Sequence, residues 1–347
     1  MNPWVMFVLI ASLGLGTTIT FASSHWLLAW MGLEINTLAI IPLMAQQHHP
    51  RAVEATTKYF LTQAAAAALM LFATTSNAWL LGEWQIQQMS HPLTATVTMI
   101  SLGMKIGLAP THLWLPEVLQ GLDLTTGLIL STWQKLAPMI LIYQLSPSVN
   151  TSILIMIGLA STLIGGWGGL NQTQLRKILA YSSIAHMGWM IIVLKYSPEL
   201  MLLNLMIYII MTSTAFMTLK IVSATNINML ATVWTKAPAL VTITMLTMLS
   251  LGGLPPLTGF MPKWMILQEL TKQDLPVTST IMALAALLSL FFYLRLCYSM
   301  TLTCSPNVNT NKSPWRLKTM ATNPLPLMAL LSIAMLPITP AAMTLTM

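Results

Sequence analysis

Long apolar stretches separated by short polar turns run through almost the whole sequence. A helix needs about 20 mostly apolar residues to cross a bilayer, and we count eleven such stretches. They are residues 3–22, 24–45, 56–81, 93–121, 123–145, 149–169, 174–195, 198–223, 237–272, 275–300 and 323–345. The pattern predicts an all-α membrane protein with about eleven transmembrane helices. The polar gap at 301–322 is expected to be a loop.

Two of these stretches are too long for one helix and carry Gly and Pro near their middle. The fourth stretch contains Pro110, and the ninth contains the neighbours Pro255 and Pro256. Proline removes a backbone donor and clashes with the preceding turn, so both helices are expected to be broken there. A matched pair of broken spans is typical of transporters built from inverted repeats. Two ordinary proline kinks are the alternative.

The composition supports a location in a membrane. Hydrophobic residues make up 56% of the 347 residues and charged residues only 7%, whereas soluble domains contain about 25% charged residues. This excludes a soluble enzyme fold. The 15 basic residues exceed the 8 acidic ones, but they are scattered singly between apolar runs, so no nucleic-acid partner is expected.

The basic residues lie mainly in loops on one side of the predicted topology. The loops on the N-terminal side hold Arg51, Lys58, Arg176, Lys177, Lys220, Lys236, Lys312, Arg316 and Lys318, and the other loops hold only Lys195 and Lys272. The positive-inside rule then predicts an N-terminus in the matrix or cytoplasm and a C-terminus across the membrane. No transit segment or cleavable signal peptide is expected before the first span, and the Met- and Thr-rich composition resembles that of mitochondrially encoded products.

Four ionisable residues are expected deep in the membrane. Glu34 is central in the second span, Lys105 precedes the first break, Lys135 is central in the fifth span, and Lys263 follows the second break. A charge at the bilayer centre costs about 2.5–3.5 kcal/mol on insertion scales, so such residues usually mark an ion path. We hypothesise that Glu34 keeps a proton on Lys105 when the two are paired and allows its release when they separate.

Two histidines are candidates for the same path. His112 follows Lys105 by seven positions, which on a helix is the same face two turns away, although Pro110 lies between them. His186 is central in its span and is either a second relay group or a packing residue. Glu117 and Asp123 flank the exit of the first broken helix, where a structural role is favoured.

Several kinds of site are not expected in this chain. The sequence has no glycine-rich dinucleotide motif, no Walker A motif and no cysteine cluster. Cys297 and Cys304 form neither a CxxC pair nor a zinc-like spacing. Binding of NADH, ATP, metal or an iron–sulfur cluster is therefore not predicted.

Three motifs resemble one membrane-protein family. The segment 105–118, KIGLAPTHLWLPEV, is similar to the motif of the first broken helix in the antiporter-like subunits of proton-pumping NADH:quinone oxidoreductase, respiratory complex I. The segments 181–188, YSSIAHMG, and 251–260, LGGLPPLTGF, resemble two further signatures, so the resemblance covers about residues 23–290. It implies that Glu34 and Lys105 are the family's paired residues. It also implies that His112 and Lys135 bridge the path and that Lys263 is the exit-side lysine.

The resemblance implies a single polytopic domain, 1–347, with two inverted repeats. Its proton-translocating core would span 23–290, and a C-terminal loop and last helix would span 291–347. Protons would cross the mitochondrial inner membrane, with the N-terminus in the matrix and the C-terminus in the intermembrane space. Electron transfer from NADH to ubiquinone would occur in partner subunits, which would hold NADH, FMN, the iron–sulfur clusters and ubiquinone, leaving no cofactor here. The implied partners are the other complex I membrane subunits, especially chains 4 and 4L, with accessory subunits and lipids such as cardiolipin.

Two other functions share much of this pattern. A stand-alone cation/proton antiporter subunit would have the same broken helices and lysines, but would work without NADH dehydrogenase. A membrane scaffold would tolerate neutralisation of Glu34 or Lys105. Bacterial members of the family carry about three further helices before the first span here, and the short form is expected for an animal mitochondrial member.

Overall fold

The computed structural model describes residues 2–46, 48–235, 237–302 and 324–341. Within these ranges the chain is built from α-helices, short 3₁₀ turns and two isolated β-bridges. It divides into two compact units, residues 1–161 and 162–347. The predicted all-α architecture is confirmed.

The first unit contains seven helices and the start of an eighth. They are α1 (Pro3–Ala22), α2 (Trp26–Met44), α3 (Pro50–Leu81), α4 (Pro92–Ile106), α5 (Trp114–Gly121), α6 (Leu124–Ser131), α7 (Trp133–Leu145) and α8 (Thr151–Gly169). Three of them begin with proline. The N–H group of a first helical residue has no partner within the helix, so proline, which lacks this group, loses no hydrogen bond there. Asn2 and His49 cap α1 and α3 by accepting hydrogen bonds from the N–H groups of Trp4 and Arg51, both at 3.2 Å.

Small residues bring α1 and α2 into close contact. A Cβ atom built at Gly32 would lie 2.8 Å from the Gly16 carbonyl oxygen, and one built at Gly16 would overlap the Asn36 side chain. Larger residues at either position would separate the two helices. The contact therefore fixes the part of α2 that carries Glu34 and Asn36.

The second unit contains the end of α8 and seven further helices. They are α9 (Leu175–Val193), α10 (Pro198–Val222), α11 (Ile227–Thr232), α12 (Pro238–Gly252), α13 (Phe260–Lys272), α14 (Pro276–Thr301) and α15 (Leu325–Ala334). The segment before α9 pairs with the segment before α11, because Leu175 N–H donates to Thr225 at 3.0 Å and Ile227 N–H donates to Thr173 at 3.2 Å. Buried side chains of α9, α10 and α14 form its core.

Both predicted breaks are present, and in each a glycine ends the helix before the proline is reached. Gly107, at φ +87°, follows α4, and Gly253, at φ +82°, follows α12. Glycine adopts this left-handed conformation without steric cost and commonly terminates helices. Pro110 and the pair Pro255 and Pro256 therefore lie in the linkers to α5 and α13, where they prevent an early restart of the helix.

The prediction of only two broken spans was incomplete. The fifth stretch, 123–145, is divided at Thr132 into α6 and α7. Thr132 has φ −112° and ψ −68°, and its hydroxyl donates to the Leu128 carbonyl at 2.7 Å. Side-chain hydroxyls that bond the preceding turn bend helices without any glycine or proline. The break places Lys135 in the first turn of a new helix.

The predicted spans otherwise agree with the helices to within a few residues at most ends. Among the described residues, α1, α2, α3, α8, α10 and α14 are long and apolar enough to cross a membrane, and α12 and α15 are apolar but shorter. α3 begins at Pro50, six residues before the predicted span at 56. The last predicted span, 323–345, was too long, because α15 ends at Ala334 and a 3₁₀ turn, Leu336–Ile338, follows it. Most of the predicted loop, and residues 323 and 342–345 of that span, lie outside the described residues. The count of eleven crossing helices stays a prediction.

Candidate functional site

Two buried lysines lie at helix ends in the first unit. Lys105 is in the last turn of α4 and is 6% exposed, and Lys135 is in the first turn of α7 and is 3% exposed. Glu34, on α2, is half-buried. Three helices thus contribute the charged groups that the sequence analysis predicted for this part of the chain.

A cavity of about 20 Å³ is lined by both lysines. Its wall also contains the side chains of Asn36, Gln63 and Gln134. A polar cavity of about 10–15 Å³ already holds one water molecule when two or more polar partners are present. The site therefore has room for a single water between Lys105 and Lys135.

Several polar atoms around this cavity have no protein partner. The Lys105 Nζ atom and both amide atoms of Asn36 are buried and make no hydrogen bond to any residue that the structure describes. An ammonium group buried without a partner costs several kcal/mol. A water molecule in this cavity would supply the missing partner for Lys105, and Lys135 lines the same cavity.

Glu34 has a hydrogen-bond partner of its own on α2. Its carboxylate Oε2 accepts a hydrogen bond from the Thr37 hydroxyl at 2.7 Å. No salt bridge between Glu34 and Lys105 is found within the described part of the chain. Glu34 and Lys105 therefore do not form a salt bridge in this structure, and the predicted switch between them stays a prediction.

Side-chain donors hold the backbone around the first break. The Trp114 indole N–H donates to the Met104 carbonyl at 3.1 Å, and the Gln63 amide donates to the Lys105 carbonyl at 3.4 Å. Carbonyls in the last turn of a helix have no helical partner, so these two bonds satisfy the end of α4. Gln134, next to Lys135, donates to the Asn36 carbonyl at 3.2 Å and ties α7 to α2.

His112 lies apart from this cavity. It is 7% exposed, in the linker between α4 and α5, with Nδ1 3.2 Å from the Pro110 carbonyl. Because α4 ends at Ile106, the helical spacing of Lys105 and His112 does not apply, and His112 is not among the residues that line the cavity. Its bridging role stays a prediction.

Lys263 caps the second break. Its ammonium donates to the Gly252 carbonyl at 2.8 Å and to the Leu251 carbonyl at 3.3 Å. These carbonyls form the negative end of the α12 dipole, where a cation is favoured. A Cβ atom built at Gly253 would lie 3.0 Å from Nζ, so this glycine leaves space for the lysine. A cation held at the unwound end of a half-helix resembles the ion sites of transporters.

His186 lies in the interior of the second unit. It is 5% exposed on α9, and its ring centroid is 5.5 Å from that of Tyr208 on α10. Hydroxyl groups of Ser182 and Ser183 lie on the same helix. This setting is more polar than the apolar helix suggested by the sequence, and the role of His186 stays a prediction.

Comparison with known proteins identifies the family. A family model described as NADH:quinone oxidoreductase/Mrp antiporter, TM, matches residues 23–289, and a model described as NADH dehydrogenase subunit 2 C-terminus matches residues 290–343. The NADH-ubiquinone oxidoreductase chain 2 of Salmo salar is 68% identical over 346 residues, which cover 99% of each chain. The chain belongs to this family. The resemblance found in the sequence is confirmed.

Solved structures show the same antiporter-like fold. A chain of respiratory complex I from Thermus thermophilus has a TM-score of 0.85 at 24% identity, covering 99% of this chain and 80% of that chain. A chain of the Mrp complex from Dietzia sp. has a TM-score of 0.85 at 14% identity, covering 97% and 76%. The fold is thus shared by proteins that differ greatly in sequence from this chain.

Arg295 is a half-buried cation on α14 that the sequence analysis passed over. Its guanidinium, on α14, donates to the carbonyls of Leu170 and Gln172, which follow the end of α8. The available signal was a single charge inside the predicted span 275–300. Arg295 therefore links α14 to the end of α8 in the second unit. The planar guanidinium group carries several N–H donors in a fixed arrangement, which allows it to bind two carbonyl oxygens at once.

Replacement of Arg295 by Leu is expected to destabilise the second unit. Hydrogen bonds to a charged group contribute about 1.5–3 kcal/mol each, and both carbonyls would lose their donor. Thermal unfolding of the purified complex measures the loss. Lys272→Leu, on an exposed side chain, is the control, and equal melting temperatures for the two variants would contradict the role of Arg295.

Glu117 takes part in an exposed ion-pair cluster. Lys58 Nζ lies 2.8 Å from Glu117 and 2.7 Å from Glu54, and all three side chains are well exposed. The contact joins α5 to α3, which supports the structural role favoured from the sequence. Asp123 occupies the N-cap position of α6 without a side-chain hydrogen bond to the helix.

Replacement of Glu117 by Gln is therefore expected to have a small effect. Exposed ion pairs contribute about 0–1 kcal/mol, so the melting temperature and the rate of proton translocation should both stay near those of the parent. A large loss of translocation with normal assembly would place Glu117 in the proton path instead.

Proposed function

We propose that this chain is a core membrane subunit of proton-pumping NADH:ubiquinone oxidoreductase, and that its own contribution is to carry protons. The single observation that supports this best is the water-sized cavity lined by Lys105 and Lys135. In a purely structural scaffold, a buried ammonium group without a protein partner would only lower stability. A proton carrier, in contrast, requires a buried group that can exchange its proton. The family relationship supports the same function.

The residues of the first unit would move the proton in two steps. Lys105 donates a proton to the water in the cavity, and that water passes a proton to Lys135. Glu34 controls the first step, because its carboxylate stabilises the protonated form of Lys105 when it approaches. Two unit charges 4 Å apart interact by about 4 kcal/mol at an effective dielectric constant of about 20. Moving one proton against 100 mV requires about 2.3 kcal/mol, so the approach or withdrawal of Glu34 is large enough to drive transfer.

Lys263 and the two histidines complete the proposed set of residues. Lys263 would be the exit-side lysine, and its release from the Gly252 and Leu251 carbonyls would accompany proton loss. His112 would bridge beside the first break, and His186 would serve the second unit. The core would span 23–290, followed by a C-terminal part at 291–347, in one polytopic domain of 347 residues.

The redox chemistry would take place elsewhere in the complex. NADH, FMN, the iron–sulfur clusters and ubiquinone would bind partner subunits. Chains 4 and 4L, accessory subunits and cardiolipin are the proposed neighbours. The protein would reside in the mitochondrial inner membrane with its N-terminus in the matrix.

A native gel of gently solubilised membranes tests this function. The gel is stained for NADH oxidation, and this chain is located by peptide mass. We expect it in the high-mass band that oxidises NADH. If it migrates apart from that activity, the chain is a stand-alone antiporter subunit and the proposed function is wrong.

A further inference from the structure

A buried hydrogen bond joins α15 to the second break. The Thr258 hydroxyl donates to the Ser332 carbonyl of α15, and both residues are 1% exposed. Ser332 lies in the last turn of α15, where carbonyls have no partner within the helix. Thr258 therefore satisfies the end of α15 from the linker between α12 and α13, which lies 74 residues earlier in the sequence.

One face of α15 packs on other helices of the second unit. Its buried residues are Leu325, Ala329 and Ser332, and their spacing places them on the same side of a helix. α15 contacts α10 and α12, and the Ser213 hydroxyl of α10 lies 3.9 Å from the Met328 sulfur. The carbonyl that accepts the Thr258 hydrogen bond thus belongs to a helix that has its own contacts away from the linker.

The linker at Thr258 is held on its other side by the end of α12. A Cβ atom built at Gly259 would overlap the Ser250 carbonyl oxygen, so the linker backbone lies directly against the last turns of α12. At the start of α13, Phe260 N–H donates to the Leu257 carbonyl at 3.2 Å. The linker is therefore fixed between α15, through the Thr258 hydroxyl, and α12, through Gly259.

This linker leads directly into the helical turn that carries Lys263. α13 begins at Phe260, so Lys263 lies in its first turn, and its ammonium reaches back across the break to the Gly252 carbonyl at 2.8 Å. The bond from the same ammonium to the Leu251 carbonyl is already 3.3 Å long. A displacement of the start of α13 by about 1 Å would lengthen both distances beyond the range of hydrogen bonds.

We propose that Thr258 is a positioning residue for Lys263, and that α15 is the fixed support to which Thr258 is bonded. The inference rests on the proposed function of Lys263 as the exit-side proton carrier. It gives a role to the C-terminal part of the chain, because Ser332 lies within residues 290–343, outside the part that matches the antiporter model. It also gives a role to the threonine of the segment LGGLPPLTGF, which the proline break alone leaves unexplained.

Replacement of Thr258 by Val tests this role in the intact complex, because valine keeps the branched shape and removes the hydroxyl. We expect the number of protons translocated per NADH in liposomes to fall as far as in Lys263→Met. The double variant should show no further fall, since both changes act on the same lysine. Thr258→Ser keeps the hydroxyl and should have the parent ratio.

Thr271→Val is the matched control. Thr271 is exposed on the same helix as Lys263, and its hydroxyl donates to the Gln268 carbonyl of that helix at 2.8 Å. This variant should have the parent ratio, because the lost hydrogen bond lies within α13 and far along it from the break.

Three results would overturn the inference. A parent ratio in Thr258→Val beside an impaired Lys263→Met would show that the hydrogen bond only attaches α15. An equal loss in Thr258→Ser would show that the hydroxyl is not the cause. A double variant that loses more than Lys263→Met alone would show that Thr258 acts independently of the lysine.

Assembly of each variant is measured on a native gel, and Thr258→Ala is a second variant without the hydroxyl. If neither Thr258→Val nor Thr258→Ala assembles while Thr258→Ser does, the hydrogen bond serves assembly and the inference is wrong. If Lys263→Met itself has the parent ratio, the proposed function of Lys263 fails and the inference fails with it.

Discussion

Replacement of Lys105 by Met is expected to abolish proton translocation through this chain while leaving the complex assembled. Methionine is unbranched and of similar length, so it fills the space between α4 and α7 without the ammonium. A positioned acid or base commonly accelerates proton transfer by about 10²–10⁴-fold, and a loss of that size is expected. The measurement is NADH-driven proton uptake by liposomes that contain the purified complex.

The stability of the same variant gives an independent check. Lys105 Nζ is buried without a protein partner in the described structure, and removal of an uncompensated buried charge is neutral or stabilising. The melting temperature of Lys105→Met should therefore equal or exceed that of the parent. Lys272→Met is the matched control because its side chain is 61% exposed and pairs only with Glu269 of its own helix at 3.7 Å. Normal proton uptake by Lys105→Met would show that the lysine is not a carrier.

Replacement of Gly259 by Ala is expected to cause the largest loss of assembled complex. Gly259 precedes α13, and a Cβ atom at this position would overlap the Ser250 carbonyl oxygen at the end of α12. The backbone at Ser250 cannot move away from the added Cβ atom as a flexible side chain could. The helix α13, with Lys263, would therefore be displaced. Overpacking of a core usually costs about 1–3 kcal/mol, and an overlap with a carbonyl is expected to reach the upper end of that range.

The amount of complex on a native gel and its melting temperature measure this effect. Gly14→Ala is the control, because a Cβ atom at Gly14 has no other atom within 4 Å. That variant should assemble as well as the parent, since alanine favours helix over glycine by about 1 kcal/mol. Equal yields of Gly259→Ala and Gly14→Ala would contradict the tight contact at the second break.

Much of the fold follows from local sequence rules. Apolar length located the helices, and the paired glycine and proline motifs located two breaks, because helix termination depends on residues at the break itself. The division at Thr132 could not be predicted in this way. No glycine or proline marks it, and a threonine that bonds the preceding turn occurs in many unbroken helices, such as Thr98 in α4.

The sequence predicted the charged residues of the candidate site but not its uncharged polar residues. Lys105, Lys135 and Glu34 stood out because a charge in an apolar span is costly. Gln63, Gln134 and Asn36 have no such signal, and their importance comes from contacts between helices far apart in sequence. Lys263 was predicted as a deep charge, but its carbonyl partners depend on how α12 ends. Arg295 was missed because the carbonyls that it binds lie more than 120 residues earlier in the sequence.

The number of protons translocated per NADH in a Lys105→Arg complex tests the central claim most directly. Arginine keeps the positive charge but does not release its proton in proteins, so it separates proton exchange from electrostatic stabilisation. If Lys105 carries protons through the cavity that it shares with Lys135, the ratio falls as far as in Lys105→Met. If the ratio stays at the parent value, only the charge is needed, and the proposed transfer between the two lysines is wrong.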